Sequence, residues 1–264
     1  MNQSPVLNVI VRAVRKAGQT ALRHFDFRHQ LEVKQKGRND PVSNADTDVE
    51  RELLYHLNKA YPTYGVLAEE GGETGSSEAG QWIIDPIDGT TNFLHGIPHF
   101  AVSVALLLEG EIQVGVVYNP VTDELFSAEK GRGAFLNDRR IRVRDNRNLS
   151  QSLLATGFPS RNPDALEGFL ASLRKFLLLT EGVRRDGSAA LDLAYTAAGR
   201  FDGYWESRIH PWDVAAGSLL VQEAGGFVSD FQGGRNFLYS GAILAANPIL
   251  HGRMLEVLRE VGLA

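Results

Sequence analysis

The chain has 264 residues, 43% of them hydrophobic, and a net charge of −5. That length suffices for one large α/β domain or two fused halves with a sizeable core, and the mild acidity argues against a general nucleic-acid binder, which needs a concentrated basic surface. The absence of cysteine excludes disulfides, thiolate metal sites and cysteine nucleophiles, and is consistent with a reducing, cytoplasmic setting.

The N-terminus carries Arg12, Arg15, Lys16 and Arg23 before the first acid, Asp26. A transit peptide has that look. The better reading is an amphipathic helix from about Pro5 to His24, with Val6, Ile10, Val14, Ala17 and Leu22 turned inward. Arg12 and Arg15 interrupt the apolar run, so no secretory signal is visible. A second helix is predicted from Ser43 or Asn44 to just before Pro62, on its capping residues and the spacing of Val49, Leu53, Leu54 and Leu57. Val66-Leu67-Ala68 reads as a strand end, and Trp82 to Ile84 as a short buried strand stopping at Asp85-Pro86.

Phe100 to Val143 reads as an antiparallel meander, with turns at Glu109-Gly110, Asn119-Pro120, Gly131 and Asn137-Asp138. Its longest apolar run, Ala101 to Leu108, is far too short to span a bilayer. Gly131-Arg132-Gly133 lacks the spacing of a phosphate loop and suits a hairpin turn. From Ser152 strands alternate with helices. Strands are predicted at Leu153–Thr156 and Gly203–Glu206. Helices are predicted over Asp164–Leu179 and Ala189–Ala198, and from Pro211 to a stop at Gly225-Gly226. A meander half (about 1–145) thus meets an α/β half (about 146–264) near residues 142–150.

The chemistry is concentrated in Trp82-Ile83-Ile84-Asp85-Pro86-Ile87-Asp88-Gly89-Thr90-Thr91-Asn92-Phe93. A strand delivers Asp85 to its end, and Asp88 follows three residues later. The turn can aim both carboxylates and the Ile87 carbonyl at one point. Gly89 permits close backbone approach, and Thr90 and Thr91 open a helix whose free N–H groups suit an anion. Carboxylates for a hard cation beside N–H groups for phosphate form a specific combination. Further oxygen ligands are available from Glu69-Glu70, Asp213 and Asp46. Taken singly, these would pass for a solvated loop and two helix-start acids.

Asp40-Pro-Val-Ser-Asn-Ala-Asp46, Glu69-Glu70, the Trp82–Phe93 string, Arg185-Asp-Gly-Ser-Ala-Ala190 and Trp212-Asp-Val-Ala-Ala-Gly217 together resemble the inositol monophosphatase family. This is a lithium-sensitive, metal-dependent phosphatase family, and the likeness runs from about residue 6 to residue 260. Arg184–Tyr195 and Ala198–Glu206 resemble its bacterial SuhB-type branch. The resemblance implies a layered αβαβα sandwich of the sugar-phosphatase type, in the α+β or α/β class.

It also implies Mg²⁺, as two or three ions, with Mn²⁺ as a substitute. Glu69, Asp85 and the Ile87 carbonyl would be ligands of the first metal. Asp85, Asp88 and Asp213 would hold the second, and Glu69 would help hold a weaker third. Asp46 and Thr90 would orient the attacking water, with Glu69 in the catalytic set. Gly89 and Thr90 would offer N–H groups to the phosphate. Gly187, Ser188, Ala189 and Glu206, with Ile87, Asp88 and Asp213 beside them, would face the substrate. Ser43 stands where the family often has Thr. Asp186 stands where a neutral residue is commoner, which can alter substrate preference or a subunit contact near Arg184 and Arg185.

An all-oxygen donor set suits Mg²⁺ or Mn²⁺ rather than zinc. The seven histidines show no metal-ligand spacing, and His95, His99 and His210 read as packing or supporting residues. No Ser-His-Asp arrangement is apparent, since Gly187-Ser188-Ala189 lacks the nucleophile-elbow flanks. Direct attack by a metal-activated water follows. Thr91, where relatives acting on phosphoadenosine phosphates or histidinol phosphate carry Lys, and Glu206, which can accept hydrogen bonds from ring hydroxyls, point to myo-inositol 1-phosphate and other polyol phosphates. The resemblance further implies a homodimer, without membrane or direct nucleic-acid partners. A second reading is a SuhB-like partner of the transcription elongation, antitermination and ribosomal RNA synthesis machinery that retains a phosphatase site. A third, an inactive scaffold, sits badly with a complete ligand set.

Overall fold

The computed structural model describes residues 4–159 and 162–264. The first helix, α1 (Pro5–Asp26), starts where the Ser4 side chain accepts the Leu7 N–H and Pro5 has no N–H to satisfy. Its buried stripe runs Leu7, Ile10, Val14, Ala17, Ala21. Val6 and Leu22, expected to face inward, flank that stripe and are only half-buried. The next helix, α2 (Asn44–Ala60), begins on a reciprocal cap between Ser43 and Asp46 and buries Val49, Leu53 and Leu57. Between the helices, β1 (Val33–Gly37) and β2 (Asp40–Ser43) form a hairpin that the sequence reading left unassigned. All five residues of β1 are exposed, so no apolar alternation marks it.

An eight-stranded sheet follows: β3 (Gly65–Ala68), β4 (Gly72–Thr74), β5 (Gln81–Asp88), then β6 (Ala101–Leu108), β7 (Glu111–Asn119), β8 (Glu124–Glu129), β9 (Gly133–Leu136) and β10 (Arg139–Arg140), in the order β10-β9-β8-β7-β6-β5-β3-β4. The expected meander is β6 to β10. Gly131 and Gly133 lie in a hairpin turn, as expected, and both donate their N–H groups to the Glu223 carboxylate at 2.7 Å. β5 does not stop at Asp85-Pro86. Its pairing with β6 breaks after Asp85↔Ser103 and resumes at Asp88↔Ala101. Proline cannot donate to the ladder, so the strand bulges at Pro86-Ile87 and continues. The short α3 (Thr90–Leu94) follows directly.

The second sheet contains β11 (Leu153–Thr156), β12 (Gly182–Arg184), β13 (Gly203–Ser207), β14 (Phe227–Ser229) and β15 (Ala242–Ala246), ordered β12-β11-β13-β15-β14. Its helices are α4 (Leu166–Leu179), α5 (Ala189–Ala197), α6 (Pro211–Glu223) and α7 (Pro248–Glu260). β14, β15 and α7 were not read from the sequence. An apolar run as short as Ala242–Ala246 has no period that separates strand from helix.

Alternation along each strand builds the layers. Trp82 and Ile84 pack with α1 and α2, whereas Ile83 between them packs with α5 and α6. In the second sheet Tyr204 and Ala245 face α5 and α6, and Trp205 and Leu244 face α4 and α7. The result is the αβαβα sandwich, with α5 and α6 between the sheets. α6 buries Val214 through Val221 without a break, as a helix with sheet on both sides must.

In this middle layer the backbone of α6 lies close against β7. A Cβ on Gly115 would lie 2.8 Å from the Ala216 carbonyl oxygen and 2.9 Å from its Cα. Both are backbone atoms, so the helix itself would have to move. Gly115→Ala is expected to destabilise the protein by about 1–3 kcal/mol, the range for overpacking. The urea midpoint checks this; an unchanged midpoint would mean that α6 has room to shift.

Candidate active site

Five chain segments deliver the expected residues to one cleft. The parallel pairing of β3 and β5 sets Ala68 beside Ile84, so Glu69 and Asp85 emerge in one row. The Glu69 N–H donates to the Ile84 carbonyl at 3.2 Å, which fixes the row. After the bulge, Gly89 turns the chain at φ +100. A Cβ there would meet the carbonyl oxygens of His99 at 3.1 Å and Gly187 at 3.2 Å. Glycine is therefore required twice over, by conformation and by space. The starts of α5 and α6 complete the walls. The cleft is lined by Glu69, Asp85, Ile87, Asp88, Gly89, Thr90, Gly187, Ser188, Ala189, Glu206 and Asp213, which is every site residue expected from the sequence except Asp46. Asp46 lies behind Thr90, where its Oδ1 is 3.4 Å from Thr90 Oγ1.

Asp85, Asp88 and Asp213 present ligand oxygens that all lie within 4.8 Å of one another. Each has an oxygen held by the protein. Asp85 Oδ1 accepts the Ile87 N–H at 3.0 Å, and Asp213 Oδ2 accepts the His210 N–H at 2.7 Å. Asp88 Oδ2 accepts Ser188 Oγ–H at 2.5 Å and the Ala190 N–H at 2.7 Å.

This arrangement is electrostatically strained. Burial, then Glu69, Asp88 and Asp213, hold the Asp85 carboxyl well above the usual carboxylate range. Burial likewise raises Asp213, with Asp88 and Glu69 adding to it. Burial pushes Asp88 up to about 6, against the hydrogen bonds from Ser188 and Ala190. Carboxylates so crowded remain ionised together only beside positive charge. The all-oxygen donor set fits a hard divalent cation.

Glu69 is not in the tight trio. Its Oε1 accepts from Lys36 Nζ at 3.0 Å, and the same ammonium reaches Glu70 Oε1 at 2.8 Å. Burial lowers the Lys36 pKa, but Glu69 and Glu70 outweigh it and hold the ammonium above its ordinary value. Asp46 is fully buried, and its Oδ2 accepts both the Ser43 N–H (2.8 Å) and the Ser43 hydroxyl (2.7 Å). Burial raises it to about 6, with Ser43 opposing. Thr90 Oγ1 also lies 3.1 Å from the Ile87 carbonyl. Across the cleft, the Tyr204 hydroxyl donates to Glu206. A Cβ on Gly157 would fall 2.0 Å from Glu206 Oε1, so this glycine makes the space that Glu206 occupies.

Sequence reasoning missed Lys36 and Asp192. Lys36 stands on the exposed hairpin, where nothing in its surroundings distinguishes it. Asp192 is 1% exposed and also lines the cleft. A lone acid inside the apolar run Ala189–Ala197 was the available signal.

A family model described as the inositol monophosphatase family matches residues 2–263. The "Inositol-1-monophosphatase" of Rhizobium meliloti is 51% identical over 98% of this chain and 98% of its own length. The "Nus factor SuhB" of Escherichia coli is 46% identical over 97% of this chain and 96% of its own. Among solved structures, extragenic suppressor protein suhB from Bartonella henselae superposes with a TM-score of 0.94 at 47% identity, over 97% of this chain and 99% of that one.

The raised carboxyls set a direction for pH. Groups whose folded pKa lies above the unfolded value disfavour the folded state once pH rises past them, unless a cation compensates. With Asp88 near 6 and Asp85 and Asp213 raised, the thermal stabilisation given by Mg²⁺ or Mn²⁺ is expected to grow from pH 5 to pH 8. Melting of chelated and metal-loaded protein across that range checks this. A cation effect independent of pH would place the ion elsewhere.

Proposed function

The chain belongs to the inositol monophosphatase family and is a phosphatase, and we propose that it is a magnesium-dependent phosphomonoesterase acting on myo-inositol 1-phosphate and related polyol phosphates. The observation that carries this reading is the trio of buried Asp85 and Asp88 with half-buried Asp213, whose oxygens lie within 4.8 Å of one another in a cleft that Glu206 also lines. Glu69, Asp85 and the Ile87 carbonyl would hold one Mg²⁺. Asp85, Asp88 and Asp213 would hold a second, with Asp85 bridging, and Glu69 would help with a weaker third. Mn²⁺ fits the same oxygens. When bound, such cations lower the pKa of a water and stabilise the leaving oxygen.

The remaining work belongs to the chain's own groups. Asp46 has one oxygen committed to Ser43, so its other can take the Thr90 proton. That leaves the Thr90 oxygen free to accept from the attacking water and orient it. The N–H groups of Gly89 and Thr90 face the phosphate. Gly187, Ser188, Ala189 and Glu206 face the polyol, where a half-buried carboxylate discriminates hydroxyls from apolar groups. Inhibition by Li⁺, action in the cytoplasm and a homodimer belong to the same reading. Exposed leucines along α4 (Leu166, Leu170, Leu177 and Leu178) support the dimer, since such a patch suits an interface.

A second reading is favoured by the relatives named Nus factor SuhB, aligned over nearly their full length: this protein would also engage transcription elongation factors. Recovery of those factors with the tagged chain tests it.

Phosphate release from a substrate panel, with and without Mg²⁺, tests the main reading. Activity is expected to vanish on chelation and to return with Mg²⁺; full activity after exhaustive chelation would overturn it. Asp85→Asn is expected to lose more than the ~10–100-fold typical of changes outside the ligand shell, with little recovery at high Mg²⁺. Glu206→Ala is expected to lower kcat/KM for inositol phosphate by roughly 1.5–3 kcal/mol, as for one charge-assisted hydrogen bond, while sparing an aryl phosphate. Equal losses on both substrates would make Glu206 a structural residue.

A further inference from the structure

His99, Asp186 and Asp192 form a second group of potential ligands. Their ligand atoms all lie within 4.8 Å of one another. None of the three belongs to the carboxylate trio. Asp192 is 1% exposed, and neither of its carboxylate oxygens has a hydrogen-bond partner among the described residues; His99 Nε2 is also buried without one among them. A buried carboxylate with no donor at all is rare and calls for a compensating group. The Arg185 charge favours the Asp192 carboxylate from a distance but gives it no hydrogen bond, and its guanidinium lies over the Phe158 ring at 4.8 Å. Asp186 is half-buried and closes the outer side of the group.

The surrounding chain frames these side chains. Asn92 Nδ2 donates to the carbonyls of both His99 and Asp186, each at 2.8 Å. His99 comes from the segment before β6, and Asp192 from the first turn of α5. The group therefore joins the large sheet to the middle helical layer. Ser188, which holds Asp88, caps that same turn of α5.

We propose that His99, Asp186 and Asp192 form a second cation site, separate from the Mg²⁺ ligands and selective for a transition metal such as Zn²⁺. One imidazole with two carboxylates suits Zn²⁺ or Mn²⁺ better than Mg²⁺, which favours all-oxygen surroundings with retained waters. Zinc ligands about 2.0–2.2 Å from the ion sit roughly 3.4 Å apart in a tetrahedron, so atoms within 4.8 Å of one another need to close by at most about 1.4 Å. The bound ion would clamp the start of α5 to the His99 segment.

Zn²⁺ titration of the full chain tests this, by calorimetry and by thermal melting, with Mg²⁺ held saturating. Wild type is expected to bind one more Zn²⁺ than His99→Gln or Asp186→Asn. It should also show a Zn²⁺-dependent rise in Tm that both variants lose. Asp85→Asn should keep that Zn²⁺. Asp186→Asn alters the half-buried member of the group, so it keeps the test alive if His99→Gln folds poorly. Equal Zn²⁺ stoichiometry in wild type and folded Asp186→Asn, or loss of Zn²⁺ binding only in Asp85→Asn, would overturn the proposal.

Discussion

Mutual repulsion among buried carboxylates is the constraint around which this molecule is arranged. Asp85, Asp88 and Asp213 come from two elements that meet only in the folded chain, and their oxygens lie within 4.8 Å of one another. Repulsion on that scale, in a site that excludes much of the solvent, opposes folding unless something fixes the groups and something else neutralises them. The chain supplies the fixing through backbone and hydroxyl donors. Neutralisation is left to a ligand.

Asp85 is held by the Ile87 N–H of the β5 bulge, and the other donors are placed by helix starts. Ser188 and Ala190 at the start of α5 hold Asp88, and the N-cap N–H of α6, from His210, holds Asp213. Ser43 at the start of α2 holds Asp46. A helix start has N–H groups free and a favourable dipole for an anion, so it can hold a carboxylate without bringing in a cation of its own. A lysine or arginine in those places would satisfy the aspartates and leave nothing for a metal. Lys36 is the exception at the rim, where it bonds Glu69 and Glu70 but not the trio.

The middle layer connects stability to the site. α5 and α6 pack against both sheets, and both begin at the cleft. The seating of α6 on Gly115, and of α5 and α6 on each other through Gly217 and Leu193, is close enough that small changes in packing would move the carboxylates. The unpartnered Asp192 lies in the same turn of α5 that holds Asp88, so whatever satisfies it acts on the same helix start.

The sequence alone determined the parts that are local. Helices α1 and α2, the meander and the start of α6 were legible because apolar period, caps and turn residues are short-range signals. The Trp82–Phe93 string was legible because strand, turn and helix start follow one another without interruption. The β1–β2 hairpin, with every residue of β1 exposed, left no periodic mark. β15 was too short and too uniformly apolar to be told from a helical segment. The passage of β5 through Pro86 depended on a partner strand that resumes pairing at Ala101. Only the tertiary structure decided that Lys36 reaches Glu69, and that His99, Asp186 and Asp192 converge. Those contacts join residues far apart in the chain, or on different elements, and no local spacing encodes them; they exist because parallel register and helix packing bring separate strand ends and helix starts to one place.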